Sequence, residues 1–287
     1  VGQPFIDSSL LPTYHVARLA RDHVKVSLSG DGGDELFCGY QRYIARVIMR
    51  WYTRLPVRLR AIAERLLRAL PEPALHHSAS LIKKAHLFTD IAARHQGEMP
   101  YVAPLFYAPA DYAALLPDVA HRGHRSSLPE VAAIDDLGDM LRSDATIYLP
   151  QDILTKVDRA SMACSLETRA PFLSRDVVDL AFSFPIAWHR RGFQGKQMLR
   201  SAFREFLPAD VWGRRKQGFA APVHAWFRAG LEHDLHNLVA RVPSPLSDSF
   251  VQRLLAEHST GQRDHGYRLW GIYVYLTWRD NLSCLPS

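Results

Sequence analysis

Hydrophobic and polar positions alternate cleanly in one stretch only, Val24-Lys25-Val26-Ser27-Leu28, where Val24, Val26 and Leu28 fall on one face. That period of two predicts a strand. A glycine-rich turn, Ser29-Gly30-Asp31-Gly32-Gly33, follows, and then the period changes. Leu36, Phe37, Tyr40, Ile44, Val47, Ile48 and Trp51 recur at three- and four-residue steps, which predicts a long helix beginning near Asp34. A shorter helix is expected before the strand, with Leu11, Tyr14 and Leu19 among its apolar positions and Asp7-Ser8-Ser9 as cap candidates.

Beyond Pro56 the helical period dominates. It predicts helices near Arg58–Leu70, Ala79–Arg94, Leu128–Leu149, Asp152–Cys164, Arg175–Phe184, Lys196–Phe206, Val251–His258 and Tyr267–Leu282, with prolines such as Pro150 as breakers. Gly97–Pro109 and Arg241–Asp248 read as loops or seams. One strand among many helices cannot stand alone. Its sheet neighbours are therefore expected outside this chain.

With 287 residues, 47% hydrophobic and 22% charged, the chain has the composition of a folded globular protein and can bury a sizeable core. Its 35 Lys and Arg against 29 Asp and Glu leave a mild +6, which favours anionic substrates without calling for nucleic acid. Basic residues are dispersed among acids, against an RNA-binding module. The longest mostly apolar run, Leu269–Trp278, is half the ~20 residues a membrane span needs. Cys38, Cys164 and Cys284 lie far apart and form no CxxC pair, which argues against a disulfide scaffold or zinc site and suits a reducing cytoplasm.

The turn after the strand carries the sharpest chemical signal. Consecutive backbone N–H groups in a glycine turn at a helix start make a nest for an anion. The spacing fits neither the dinucleotide fingerprint, since position 35 is Glu, nor the P-loop. Asp31, Asp34 and Glu35 beside a phosphate nest make sense with a hard cation such as Mg²⁺ between them and the phosphate; the plain alternative is acids favoured at a helix start. Arg42, Arg46 and Arg50, at i+4 spacing, read as a solvent face. Glu167 and Arg169, flanking Thr168 before Ala170-Pro171, read as a buried ion pair fixing a loop. Arg214-Arg215-Lys216 reads by itself as a solvated basic cluster.

Residues 26–40, Val-Ser-Leu-Ser-Gly-Asp-Gly-Gly-Asp-Glu-Leu-Phe-Cys-Gly-Tyr, resemble the second nucleotide-site motif of glutamine-hydrolysing asparagine synthetases. Further stretches match in order: Pro4–Ser9 and Leu11–Tyr14, Asp152–Arg159, Ser165–Leu173 and Arg214–Phe219. Cys38 stands where that family usually has glycine. The resemblance covers nearly the whole chain and implies an α/β fold of the nucleotide α-hydrolase (ATP-pyrophosphatase) type, of which residues 1–287 would be the mostly helical C-terminal part of the synthetase domain. The family's glutaminase domain and its first phosphate loop, Ser-Gly-Gly-x-Asp-Ser, would lie upstream, and the 287 residues alone would be inactive.

The implied activity is a carbon–nitrogen ligation. Aspartate is adenylated by ATP with Mg²⁺, and ammonia from the glutaminase domain displaces AMP to give asparagine. By position, Asp31 and Lys216 are the catalytic residues, Ser29, Gly30 and Gly32 contact ATP, and Asp34 is the Mg²⁺ ligand. Glu35, Asp152, Lys156, Asp158 and Arg159 fall to the pocket for aspartate or its intermediate. Relatives also act on other carboxylates in polysaccharide or natural-product synthesis. A non-catalytic helical binding module is the rival of another class, and a catalytically degenerate relative a third reading. The implied partners are aspartate or a similar carboxylate, ammonia and a second copy in a homodimer, with neither nucleic acid nor membrane.

Overall fold

The computed structural model describes residues 2–68, 81–94, 107, 109–121, 137–213, 218–219 and 221–283. Its first half contains α1 (Leu10–Arg21), β1 (Val26–Leu28), α2 (Gln41–Tyr52), α3 (Val57–Arg68), α4 (Leu81–Arg94), α5 (Pro109–Leu115) and α6 (Pro117–His121). A central rod follows: α7 (Leu137–Ser143), a π-helical stretch (Asp144–Leu154) and α8 (Thr155–Met162). Then come β2 (Glu167–Arg169), α9 (Arg175–Ser183), α10 (Ile186–His189), α11 (Gln197–Ala202) and α12 (Ala209–Gly213). The C-terminal helices are α13 (Val223–Trp226), a π-helical turn (Phe227–Leu231), α14 (Glu232–Arg241), α15 (Asp248–Ser259) and α16 (Gly266–Ser283). Arg241–Asp248 is a connection between helices, as expected. Most of Gly97–Pro109 lies outside the described residues, as does the first part of Leu128–Leu149.

Three expectations are corrected. First, β1 has a partner within the chain: it pairs in parallel with β2, Val26 opposite Glu167 and Leu28 opposite Arg169. Ser29 extends the pairing by donating its N–H to the Arg169 carbonyl at 2.8 Å. A three-residue strand lacks the alternating run that periodicity detects, so β2 was invisible in the sequence. The apolar side chains of β1 remain exposed, Leu28 at 75%. Glu167 and Arg169 do pair across Thr168, but on the surface, with side chains 50% and 70% exposed.

Second, the helix expected from Asp34 begins at Gln41. Residues 31–38 fold instead as successive turns, closed by Leu36 N–H to Gly32 O at 2.9 Å and Gly39 N–H to Asp34 O at 2.9 Å. Cys38 interrupts any helix there, with φ +54°. Third, Pro150 breaks nothing. Proline lacks an N–H and crowds the carbonyl four residues back, and widening the helix to i→i+5 turns absorbs both defects. The rod therefore runs unbroken from Leu137 to Met162.

The main core is C-terminal, where Phe227, Leu235, Val251, Leu254, Leu269 and Leu276 are all at most 1% exposed. Leu36 and Phe37 form a second cluster with Ala181, and Cys38, Tyr43, Met140 and Leu141 a third. The N-terminal segment is laced to α16: Trp270 Nε1–H donates to Ile6 O at 2.8 Å and Trp278 Nε1–H to Gly2 O at 3.2 Å. With α1 packed on α8, that lacing places Asp7 against the rod.

His189, His258 and His265 are buried, and burial holds each below its ordinary value of 6.5. The ring of His258 accepts the His265 N–H at Nδ1, 3.1 Å away, so its proton sits on Nε2 towards the His224 carbonyl. The unfolded chain protonates these rings near 6.5 and the folded one resists. Their contribution is complete above that pH and is lost as pH falls through the depressed folded values. We expect the melting temperature to fall from pH 7.5 to 5.5, and less steeply in His265→Gln; a flat profile would contradict the assignment.

Candidate active site

The site begins where the two parallel strands end. Ser29 and Gly30 sit at the carboxyl end of β1, the edge where open parallel sheets place their ligands. The Ser29 hydroxyl donates to Asp31 Oδ2 at 2.8 Å and pins that carboxylate over the turn. Gly32 is held at φ +89°, and a Cβ there would come within 2.4 Å of Leu173 Cδ2.

Asp34 faces a cation that the sequence reading passed over. Lys196 Nζ lies 2.7 Å from Asp34 Oδ1, with side chains 38% and 23% exposed. Lys196 has φ +58° and donates its N–H to Phe37 O at 2.8 Å, so its backbone and side chain both grip the turn. Gly39 makes the approach possible, because a Cβ there would fall 1.8 Å from Asp34 Oδ1 and 2.4 Å from Lys196 Cε. Gly39→Ala is therefore expected to break this pair and lower the melting temperature; crystals of the variant that retain the 2.7 Å contact would refute the packing argument.

Beyond Asp34 a polar network runs inward. Glu35 is 2% exposed and accepts the Tyr40 hydroxyl proton in a short hydrogen bond. Burial first, and the neighbouring Glu35 carboxylate second, raise the Tyr40 phenol far above its ordinary value and keep it a donor. The Arg42 guanidinium lies between two rings, 4.3 Å from the centroid of Tyr40 and 4.4 Å from that of Tyr148. It pairs with Asp144, which is wholly buried, through contacts of 2.6 and 3.1 Å; Tyr43 Oη donates to the same carboxylate at 2.6 Å. Arg42 is thus no solvent-facing residue.

Tyr148, Asp152 and Lys156, spaced by four along the rod, share one face. Tyr148 donates its hydroxyl proton to Asp152. Lys156 Nζ reaches Asp7 Oδ2 at 2.8 Å. Burial, and then the Asp7 charge, raise the Asp152 carboxyl, although the Lys156 ammonium pulls the other way. Asp7 is also raised by burial, but Lys156 and hydrogen bonds from Ser9 outweigh that and hold it below its ordinary value. The result is one buried ammonium between two carboxylates of opposite tendency.

Of the sequence-predicted residues, the fold brings Ser29, Gly30, Asp31, Gly32, Asp34 and Glu35 onto one turn and sets Asp152 and Lys156 on the face linked to it through Tyr148, Arg42 and Tyr40. Asp158 and Arg159 lie on an exposed part of α8 and do not join the cluster. Lys216 lies outside the described residues. Asp7, Arg42, Asp144 and Lys196 were missed as site residues. Asp7 had read as a helix cap and Lys196 as a helix start; the only local hint for Lys196 was the glycine before it.

Asp31 and Asp34 offer hard carboxylate oxygens, which suit Mg²⁺, a cation that takes one or two protein carboxylates and completes its shell with water and phosphate. Among the described residues no group of three or more His, Cys, Asp or Glu is placed to hold a metal by itself. The thiol of Cys38, buried and pushed up to about 12, is chemically inert in this setting.

A strand-end turn bearing Ser29, Asp31 and Asp34, with the Lys196 ammonium at Asp34 and the buried Lys156 on the linked face, is an arrangement for handling phosphate and carboxylate together, and known proteins resemble it in sequence. The model of the asparagine synthase family matches residues 1–280. A provisionally named glutamine-hydrolyzing asparagine synthetase of Mycobacterium bovis is 34% identical over 286 residues, covering 97% of this chain and 42% of that protein. The glutamine-hydrolyzing asparagine synthetase 1 of Bacillus subtilis is 28% identical over 281 residues, covering 96% of this chain and 43% of its own length. No solved structure matches. The chain thus spans less than half the length of these curated relatives, and with a family match from its first residue to within the last turn of α16 it belongs to the asparagine synthase family.

Proposed function

We propose that the protein of which this chain is the C-terminal synthetase part joins ammonia to aspartate through a β-aspartyl-AMP intermediate, with ATP as co-substrate and glutamine as the ammonia source. In this reading the aspartate β-carboxylate oxygen attacks the α-phosphorus of ATP and the bond to the β-phosphate breaks, releasing pyrophosphate. Ammonia then attacks the acyl carbon, and AMP leaves. The domain has the nucleotide α-hydrolase fold, β1 and β2 being two strands of its parallel sheet; the exposed apolar side chains of β1 support a further packing layer.

The observation that carries the reading is the turn at 29–35. Its small residues Ser29, Gly30 and Gly32 let a nucleotide approach the backbone. Asp34, with Asp31 beside it, would hold Mg²⁺, which would supply neutralising charge to the phosphates. Lys196, already at Asp34, adds a second cation within reach of the same phosphates, and Lys216 supplies a third at the α-phosphate. Lys156, between Asp7 and Asp152, offers the ammonium that a carboxylate substrate needs.

Asp34→Asn tests the assignment. A neutral amide is a poorer ligand for a hard divalent cation, so aspartate-dependent ATP–pyrophosphate exchange in the complete protein should need much more Mg²⁺ to reach half-maximal rate. An unchanged Mg²⁺ titration would remove Asp34 from the metal site.

A further inference from the structure

Positive charge is distributed unevenly along this chain. Residues 41–68, which form α2 and α3, contain eight arginines and a single acid, Glu64. Their net +7 exceeds the +6 of the whole protein, so everything else sums to −1. The same stretch carries a run of exposed apolar side chains. Trp51, Leu55, Val57, Leu59, Ile62 and Leu66 are 45–70% exposed.

The two properties coincide on the outward side of α3. In α3, Leu59, Ile62 and Leu66 follow at three and four residues and form a stripe, with Arg58 and Arg65 exposed along one side of it. At the tip, Arg54 lies over the Trp51 ring, 5.0 Å from its centroid. The single acid is drawn to the inner side. Glu64 accepts the Tyr52 hydroxyl at 2.7 Å, and the Tyr52 ring packs edge-on against Phe88 of α4 at 5.4 Å. Among the described residues of α2 and α3, the outward side of α3 is consequently apolar and cationic, without a carboxylate.

We propose that this α2–α3 hairpin lies on the surface of an anionic phospholipid bilayer, with the Leu59/Ile62/Leu66 stripe and Trp51 entering the headgroup–acyl boundary and Arg54, Arg58 and Arg65 contacting lipid phosphates. Helices of 12 residues cannot span a bilayer, and no described helix is long and apolar enough to do so. A basic amphipathic helix instead lies in the interface plane. Tryptophan and arginine favour that boundary, the arginine stems covering apolar surface while their heads stay with phosphate. Nucleic acid would satisfy the arginines but leave six large apolar side chains in water. An anionic bilayer satisfies both. The proposal departs from the expectation of no membrane partner and does not depend on the reaction proposed above.

Co-sedimentation of the complete protein with vesicles tests it, with a vesicle-free control for self-association. Vesicles of phosphatidylcholine mixed with phosphatidylglycerol should bind at least about tenfold more protein than phosphatidylcholine alone, and added salt should reduce the difference. Arg58→Gln and Arg65→Gln should each weaken the anionic binding about fivefold. Leu59→Gln/Leu66→Gln should abolish binding with little change in melting temperature, because both side chains are more than half exposed. Absence of vesicle binding would overturn the proposal. So would a Leu59→Gln/Leu66→Gln variant that binds as the original does, since charge alone would then be at work and the face would belong to an acidic protein or nucleic acid.

Discussion

Lys216→Ala in the complete protein should lower aspartate-dependent pyrophosphate release by about 10²–10³, the scale for deleting a group that stabilises transition-state charge. In the proposed reaction, negative charge accumulates on the α-phosphate oxygens as the carboxylate adds and pyrophosphate departs. A compact ammonium is suited to follow such a moving charge, because it acts as a point charge without a fixed hydrogen-bonding fork. Glutamine hydrolysis, assigned to a separate domain, should change far less. The comparison of the two half-reactions is the check. Equal losses in both would indicate a general structural defect, and an unchanged rate of pyrophosphate release would return Arg214-Arg215-Lys216 to an ordinary solvated basic cluster.

The largest stability effect is expected at Arg42. Its guanidinium is the charge partner of Asp144, a carboxylate with no solvent exposure that also accepts the Tyr43 hydroxyl proton. Arg42→Met should cost about 3–5 kcal/mol, the range for stranding a buried charge. Arg42→Met/Asp144→Leu should recover most of it, because two apolar groups replace the pair without leaving a charge behind. Chemical denaturation of the single and double variants measures both. A double variant as unstable as Arg42→Met would mean that stacking between Tyr40 and Tyr148, not pairing with Asp144, is what Arg42 contributes.

Those two sites differ in how they are written in the sequence. The turn at 29–35 is legible because its chemistry is contiguous: a short alternating strand, then small residues and acids in a fixed order. Arg42 and Asp144 are separated by 101 intervening residues, and local spacing gave Arg42 a partner only in Arg46 and Arg50 of its own helix. Asp7 and Lys156 are likewise joined by the fold alone, through the lacing of residues 2–6 to Trp270 and Trp278. The helices were legible where an apolar stripe repeated over three turns, as in α15 and α16. Two features were not: the start of α2, because Cys38 with its positive φ ends one structure before the next begins, and Pro150, because a π-helical turn accommodates what an α-helix rejects.

The hairpin illustrates a different blind spot. A formal +6 spread over 287 residues looks mild, and the reading of dispersed basic residues followed from the average. Counting by element shows that α2 and α3 account for the entire excess, and only the burial pattern reveals that Leu59, Ile62 and Leu66 of α3 face outward.

The central claim is the acyl-adenylate, and oxygen transfer tests it most directly. The complete protein would be incubated with ATP, Mg²⁺, glutamine and aspartate carrying ¹⁸O in its β-carboxylate, and the nucleotide product examined by mass spectrometry. The account predicts one ¹⁸O atom in AMP, carried there when the carboxylate oxygen that attacked phosphorus leaves with it. Label in inorganic phosphate together with ADP, or unlabelled AMP accompanying asparagine, would contradict it.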